Sequence, residues 1–306
     1  MSLLSILGVL SSAIFSGTSL LYSTLGETIH QRSGIVNLGL EGVMLISASS
    51  GFAFTALTGR PYLGVLVAAI AGGIVNLIFG YLVINRKANQ LASGLALMFF
   101  GFGASALIGK SSVGMKINPL PRLSLPWIAN LDVLYSSLFK FDLLIYLAIP
   151  AAFCVWWLLF KTRWGLGLRA VGENADAAYA SGRNPMRIRF QALLLGGMLA
   201  GLGAAHLSIA YTMSWSEHMT AGRGFIAVAL VIFSKWHPLR AIGGALLFSG
   251  AVAFQLLLQS SGVKVSPFLL DTIPYILTLL ILIIWGGTRK NAAPAGLGRV
   301  YYGGQK

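Results

Sequence analysis

The residue of this chain with most chemistry to offer is a carboxylate standing inside a hydrophobic stretch. Glu41 lies in the apolar run 35–58, roughly six residues in, or about 9 Å deep at helical rise. An ionised acid at that depth is costly unless it faces protein or water. Asn37, at the i−4 position, shares its helix face. Two roles are open to the pair. One is a place on a translocation pathway or its gate; the other is a buried hydrogen-bond anchor that fixes one helix against a neighbour through Gly-rich turns.

Other polar residues within apolar runs suit a simpler role. His206, Asn76, Gln255 and Gln259 are each affordable as interhelical hydrogen bonds worth about 0.6 to 2 kcal/mol. A proton relay needs a chain of titratable groups at one depth, and the runs hold too few acids. Glu217 and His218 lack a third partner at metal spacing. Cys154, the one cysteine, excludes an intramolecular disulfide and a cysteine-built metal site, and is expected to fill a helix interface. No phosphate loop, His-Glu-x-x-His or Gly-x-Ser-x-Gly motif occurs, so no cofactor is expected and ATP hydrolysis by a phosphate-loop route is excluded. Active transport would then draw on a partner or an ion gradient, and the scarcity of acids disfavours the gradient.

The longest hydrophilic island is Lys161 to Phe190, between two apolar runs. Within it Asn174 is a good N-cap, Asp176 sits in the first turn where the helix dipole favours negative charge, and Gly182 can take a left-handed terminal position before Pro185. The spacing predicts a rod of about two turns, roughly 12 Å long, between Asn174 and Ser181. Because it joins two spans, moving it must move both.

The elements that position these residues are membrane spans. The chain has 306 residues, 56% hydrophobic and only 10% charged, too few charges for a soluble surface. Apolar runs at 3–25, 35–58, 62–84, 91–109, 141–160, 191–213, 239–259 and 271–286 are long enough to cross about 30 Å of hydrocarbon. A ninth, 225–234, is too short to cross alone. The fold class is therefore all-α, a polytopic integral membrane bundle of about 8–10 segments, with residues 1–290 a single transmembrane domain, 161–190 its cytoplasmic loop and 291–306 a cytoplasmic, mobile tail. The first run lacks the basic flank of a cleavable signal and is read as a retained span.

The net charge of +14 is spread over the turns between runs, which favours positive-inside bias over nucleic-acid binding. With every run crossing, Arg60, Lys110, Lys116, Arg122, Lys140, Arg223 and Lys264 fall outside and the remaining 15 of the 22 Lys and Arg inside. The N-terminus is then outside and the C-terminus cytoplasmic. Gly and Ala crowd the runs, as in Gly196 to Gly203, and close backbone approach must hold such helices together in lipid. Loop 110–140, with Pro119, Pro121 and Pro126, is expected as an outer cover. Helical patterning breaks at Gly26–Gly34 and again from Gly222 to Pro238, in opposite senses, as an inverted repeat around a central pathway would.

Three motifs carry a family resemblance: SGIVNLGLEG from Ser33 to Gly42; RAVGEN from Arg169 to Asn174, followed by Ala177, Ala178 and Gly182; and GRGFIAVAL from Gly222 to Leu230. In this order, and over residues 20–290, the chain resembles inner-membrane permease subunits of bacterial ABC importers of the sugar and branched-chain amino-acid type. Within them it is most similar to the shorter permease of nucleoside importers served by basic-membrane-lipoprotein binding proteins. The resemblance implies a second, longer permease, a cytosolic ABC ATPase that binds ATP and Mg, often as two cassettes in one chain, and a periplasmic or lipoprotein substrate-binding protein. It implies nucleosides or related simple sugars as cargo. It also assigns Glu173, Asn174, Ala177, Ala178 and Gly182, with Asp176 between them, to the ATPase-coupling loop, and Asn37, Glu41, Gly222, Arg223, Gly224 and Phe225 to the pathway or gate. Ala175 and Arg183 depart from the family pattern, which often has Pro and an aliphatic residue there. The competing function is a secondary transporter or channel working without an ATPase.

Overall fold

The computed structural model describes residues 3–123, 140–261 and 293–300, with scattered positions between 266 and 283. Ten helices are among them: α1 Leu3–Arg32, α2 Leu40–Thr58, α3 Pro61–Gly80, α4 Gln90–Gly109, α5 Leu143–Lys161, α6 Arg163–Glu173, α7 Ala175–Ala180, α8 Pro185–Ala205, α9 Arg223–Phe233 and α10 Pro238–Ser260. Wider π-helical turns extend α3 over Tyr81–Asn85 and α8 over His206–Tyr211. A two-residue antiparallel ladder pairs β1 Arg122–Leu123 with β2 Phe141–Asp142.

Helix starts follow local chemistry. Asn89, Asp142 and Asn184 cap α4, α5 and α8 through side-chain oxygens that accept from the first free amides. Pro61, Pro185 and Pro238 occupy first helical positions, where no amide partner is lost. Among the described residues, six helices are long and apolar enough to cross a membrane. The run 271–286 lies largely outside the described residues, as does most of the outer loop.

The bundle is built around α1, which packs on α8, α10, α9 and α5, while α3 joins α2 to α8 and α4 lies on α2. Backbones touch at several crossings; at that of α1 with α8, a Cβ on Gly26 would overlap the Gly196 carbonyl oxygen. Lipid offers no hydrophobic drive between helices, so dispersion across such close backbones must supply the cohesion.

Several sequence expectations are corrected. The helical pattern does not break at Gly26: α1 continues to Arg32 and the break is Ser33–Gly39. The polar run is helical because its own side chains satisfy one another. The Glu27 carboxylate meets His30 Nδ1 at 2.9 Å and accepts from Gln31 Nε2 at 2.9 Å, the i+3 and i+4 neighbours on one face. Cys154 fills no interface in this subunit, since it is exposed on α5. Tail residues 293–300 are not free; they are hydrogen-bonded to the rest of the chain. The polar island holds a further helix, α6, whose buried face is Gly165, Gly167, Leu168, Val171 and Gly172.

Candidate functional site

Two discontinuous elements meet inside the bundle. After Arg32 the chain turns through Gly34, at φ +90, runs back as Ser33–Gly39 and enters α2, whose Met44, one turn in, accepts at Sδ from the Ser23 hydroxyl at 3.3 Å. Ser23 lies nine residues before the end of α1 and Met44 four residues into α2, so α2 begins roughly 8 Å inside the bundle. The second element enters from the opposite end. Thr212–Ala221 folds inward with Trp215 buried in a cluster with Met44, Leu45 and Phe52, and α9 then starts beside Ser16, midway along α1. It ends at Trp236, whose carbonyl accepts from Arg32 Nε at 3.0 Å and whose indole donates to Gln31 Oε1 at 2.7 Å. The two elements run in opposite senses, each half helix and half turn.

Glu41 joins them. Its Oε1 accepts from Thr220 Oγ1 at 2.5 Å and the Gly222 amide at 2.8 Å, and its Oε2 from the Gly224 amide at 2.6 Å. The side chain sits in the first turn of α2 and on the first amides of α9, so one carboxylate serves two helix N-termini, the ends that favour negative charge. Gly222 takes φ +82 to present these amides. A Cβ on Gly224 would overlap the Glu41 backbone.

The expected pairing of Asn37 with Glu41 on one helix face is corrected, because Asn37 precedes α2. Its Oδ1 accepts from the Gly39 amide at 2.8 Å and its Nδ2 donates to Asn76 Oδ1 on α3 at 2.6 Å, while its own amide donates to Glu27 Oε1 at 3.3 Å. It fixes the break rather than the helix. We expect Asn76→Leu to cost about 1–2 kcal/mol, read as a lowered unfolding temperature in detergent, with Asn37→Ala adding little on top because the same bond is already gone.

Arg223, expected among the outer charges, lies within the bundle instead. Its guanidinium donates to the Ser16 carbonyl at 3.2 Å, Ser16 Oγ at 3.1 Å and Ser19 Oγ at 3.2 Å, and lies over the Tyr211 ring. It thus belongs to the mid-bundle junction, and the outer charge count falls by one. Phe225, a turn into α9, is 40% exposed. His206 lies 3.3 Å from Asp142 across α8 and α5.

The polar island lies at the end of α5 opposite Asp142 and loop 110–140. Asn174 accepts from the Ala177 amide at 3.0 Å, Asp176 is in the first turn and Gly182 takes φ +80, so α7 is the short rod expected there. Ala178 is buried, whereas Glu173, Asn174, Asp176, Ala177 and Gly182 are exposed. Gly172, at the end of α6, touches the break itself, where a Cβ would overlap the Arg32 carbonyl oxygen. Arg189 Nε donates to the Ser33 carbonyl at 3.2 Å. At the same end burial, with the charges of Arg240 and Arg32, holds His237 below the ordinary histidine range.

Sequence reasoning missed Glu27, Thr220 and Trp236. The Glu27, His30, Gln31 spacing was a usable signal; Thr220 and Trp236 had none, since their partners lie 179 and 205 residues away.

Over residues 9–285 the chain matches the family model described as branched-chain amino acid transport system / permease component. It is 34% identical to the putative glucose ABC transporter permease protein of Haloferax volcanii, over 96% of this chain and 97% of that one. The guanosine ABC transporter permease protein of Bacillus subtilis is 32% identical over the full length of both chains. A nucleoside ABC transporter permease protein of Lactococcus lactis is 33% identical over 96% of each.

Proposed function

We propose, from the premise that the chain belongs to the permease component family of branched-chain amino acid transport systems, a specific division of labour within an ATP-driven importer. The chain is a multi-pass permease subunit of an ABC importer, a transport component that works with an ATPase and a substrate-binding protein. In our reading the exposed surface of α7, with Glu173, Asn174, Asp176, Ala177, Ala178 and Gly182, docks on that cytosolic ATPase, which alone binds ATP and Mg. The junction of Glu41 with Gly222, Arg223, Gly224 and Phe225, braced by Asn37, is the gate. The subunit pairs with a second, longer permease, lies in the cytoplasmic membrane with its N-terminus outside and its C-terminus in the cytoplasm, and moves nucleosides or related simple sugars delivered by a periplasmic or lipoprotein binding protein.

The observation that carries this is the contact of Gly172 with the Arg32–Gly34 turn. It puts the helix pair α6–α7 directly on a discontinuity that leads, through α2, to Glu41. ATP acts by binding two conformations of the complex unequally, since a ligand shifts an equilibrium only by its differential affinity. The permease converts that preference into exposure of the pathway to one side or the other.

The test is ATP-dependent uptake by the purified complex in liposomes, set beside the permease alone under a proton or sodium gradient. Accumulation with the gradient and no ATPase would overturn the proposal. Within the complex, Gly182→Val should lower cargo-stimulated ATP hydrolysis about tenfold while the subunit still inserts, because a β-branched residue tolerates positive φ poorly. Fully coupled turnover in that variant would remove α7 from the docking surface.

A further inference from the structure

The last described segment of the chain does more than trail from the bundle. Residues 294–299 form two successive tight turns, closed by Leu297 N to Pro294 O at 3.0 Å and Arg299 N to Gly296 O at 3.1 Å, with Gly298 at φ +76. From this fold three backbone amides reach outward. Gly296 donates to the Gly172 carbonyl at 2.9 Å, Ala295 to Glu173 Oε2 at 3.0 Å and Gly298 to the Gly34 carbonyl at 3.1 Å. Gln90, at the start of α4, completes the set: its Nε2 donates to the Arg299 carbonyl at 3.3 Å while its Oε1 accepts from the Val36 amide at 2.9 Å. One short segment thus holds the end of α6, Gly34 in the break and the start of α4, where Gln90 in turn holds Val36.

The direct contact between Gly172 and the Arg32–Gly34 turn is steric. Such a contact passes a push, because atoms resist overlap, but it passes no pull. Hydrogen bonds resist separation as well, and the tail places one on each side of the contact. We propose that the Pro294–Arg299 turn is a positioning element that clamps the coupling helices to the break in the first discontinuous helix, so that both strokes of the ATPase cycle reach Ser33–Gly39. The inference rests on the importer reading above. It requires the clamp to stay closed throughout the cycle, moving with α6 and α7 as one body.

The site is built for backbone approach. A Cβ on Gly296 would stand 2.7 Å from the Gly172 carbonyl oxygen, and one on Gly34 would stand 3.3 Å from the Gly296 carbonyl oxygen. A side chain at 296 therefore forces the turn away from α6; it also frees the Glu173 carboxylate from the Ala295 amide but leaves the residues of α7 itself, Ala175–Ala180, in place.

Two measurements on the assembled complex test this. In the wild-type complex, hydrogen exchange over residues 293–300 should stay slow in both the nucleotide-free and the ATP-trapped states, since exchange reports opening of these amides. Fast exchange in either state overturns the clamp. In the Gly296→Val complex, cargo moved per ATP hydrolysed should fall about tenfold while ATP hydrolysis stays within about twofold of wild type. An unchanged ratio overturns it. Truncation before Ala293 removes the same bonds without adding a side chain, and supplies the same ratio if Gly296→Val does not reach the membrane. Failure of the importer reading itself looks different, because the wild-type complex would then show no ATP-dependent uptake.

Discussion

Transport through a complex carrying Glu41→Ala is expected to fall below detection. Truncation leaves Thr220 Oγ1 and the amides of Gly222 and Gly224 without the acceptor they now share. Each buried orphan donor costs about 1–3 kcal/mol, so the junction loses its closed form by about a hundredfold or more. The same change strips the first turns of α2 and α9 of the negative charge that both dipoles favour. Glu41→Gln should be milder but still impaired, because one carboxylate oxygen becomes an NH2 facing a donor. Uptake in liposomes, normalised to subunit in the bilayer, checks both variants. Wild-type rates with Ala at position 41 would leave the carboxylate without a role in the gate.

The second large effect is on assembly. Gly26→Val inserts a branched side chain where the α1 and α8 backbones already touch, and the Cβ alone would meet the Gly196 carbonyl. Separating two backbones by even one methyl sacrifices dispersion along the whole crossing, and overpacking of a tight core costs about 1–3 kcal/mol. In lipid no hydrophobic term offsets that loss. We expect the amount of folded subunit in membranes to drop about tenfold, measured by fluorescence-detected size exclusion of a tagged subunit. Gly243→Val is the control, since a Cβ there meets nothing within 4 Å, and it should leave abundance unchanged. Equal abundance of the two variants would show that the α1–α8 approach is not limiting.

What the sequence could disclose was local. The cap at Asn174, the turn at Gly182 and the brevity of the segment after Gly222 are decided within a few residues, and all three stand in the structure as expected. The Glu27 to Gln31 stretch was misread because a cluster of polar residues in a hydrophobic chain looks like a break. It is a helix because Glu27, His30 and Gln31 satisfy one another on one face, and the Asn37 amide, the Leu193 carbonyl on α8 and Trp236 take up what remains. Asn37 failed for a related reason, since i−4 spacing implies a shared face only where the chain is helical. The tail left no trace at all, for its bonds to Gly172 and Gly34 run between backbones and demand only small residues. Cys154 was assigned by type, and residue type does not decide which face of a helix packs inside its own subunit.

The junction at Glu41 has a mechanical corollary. The carboxylate pins two arms of unequal reach: α9 spans 11 residues and α2 spans 19, or about 16 Å and 28 Å at 1.5 Å per residue. If the pinned pair swings as a single beam, a displacement of the short arm at Trp236 is magnified about 1.7 times at the far tip near Thr58. Small travel on one face of the bilayer then opens a wider mouth on the other.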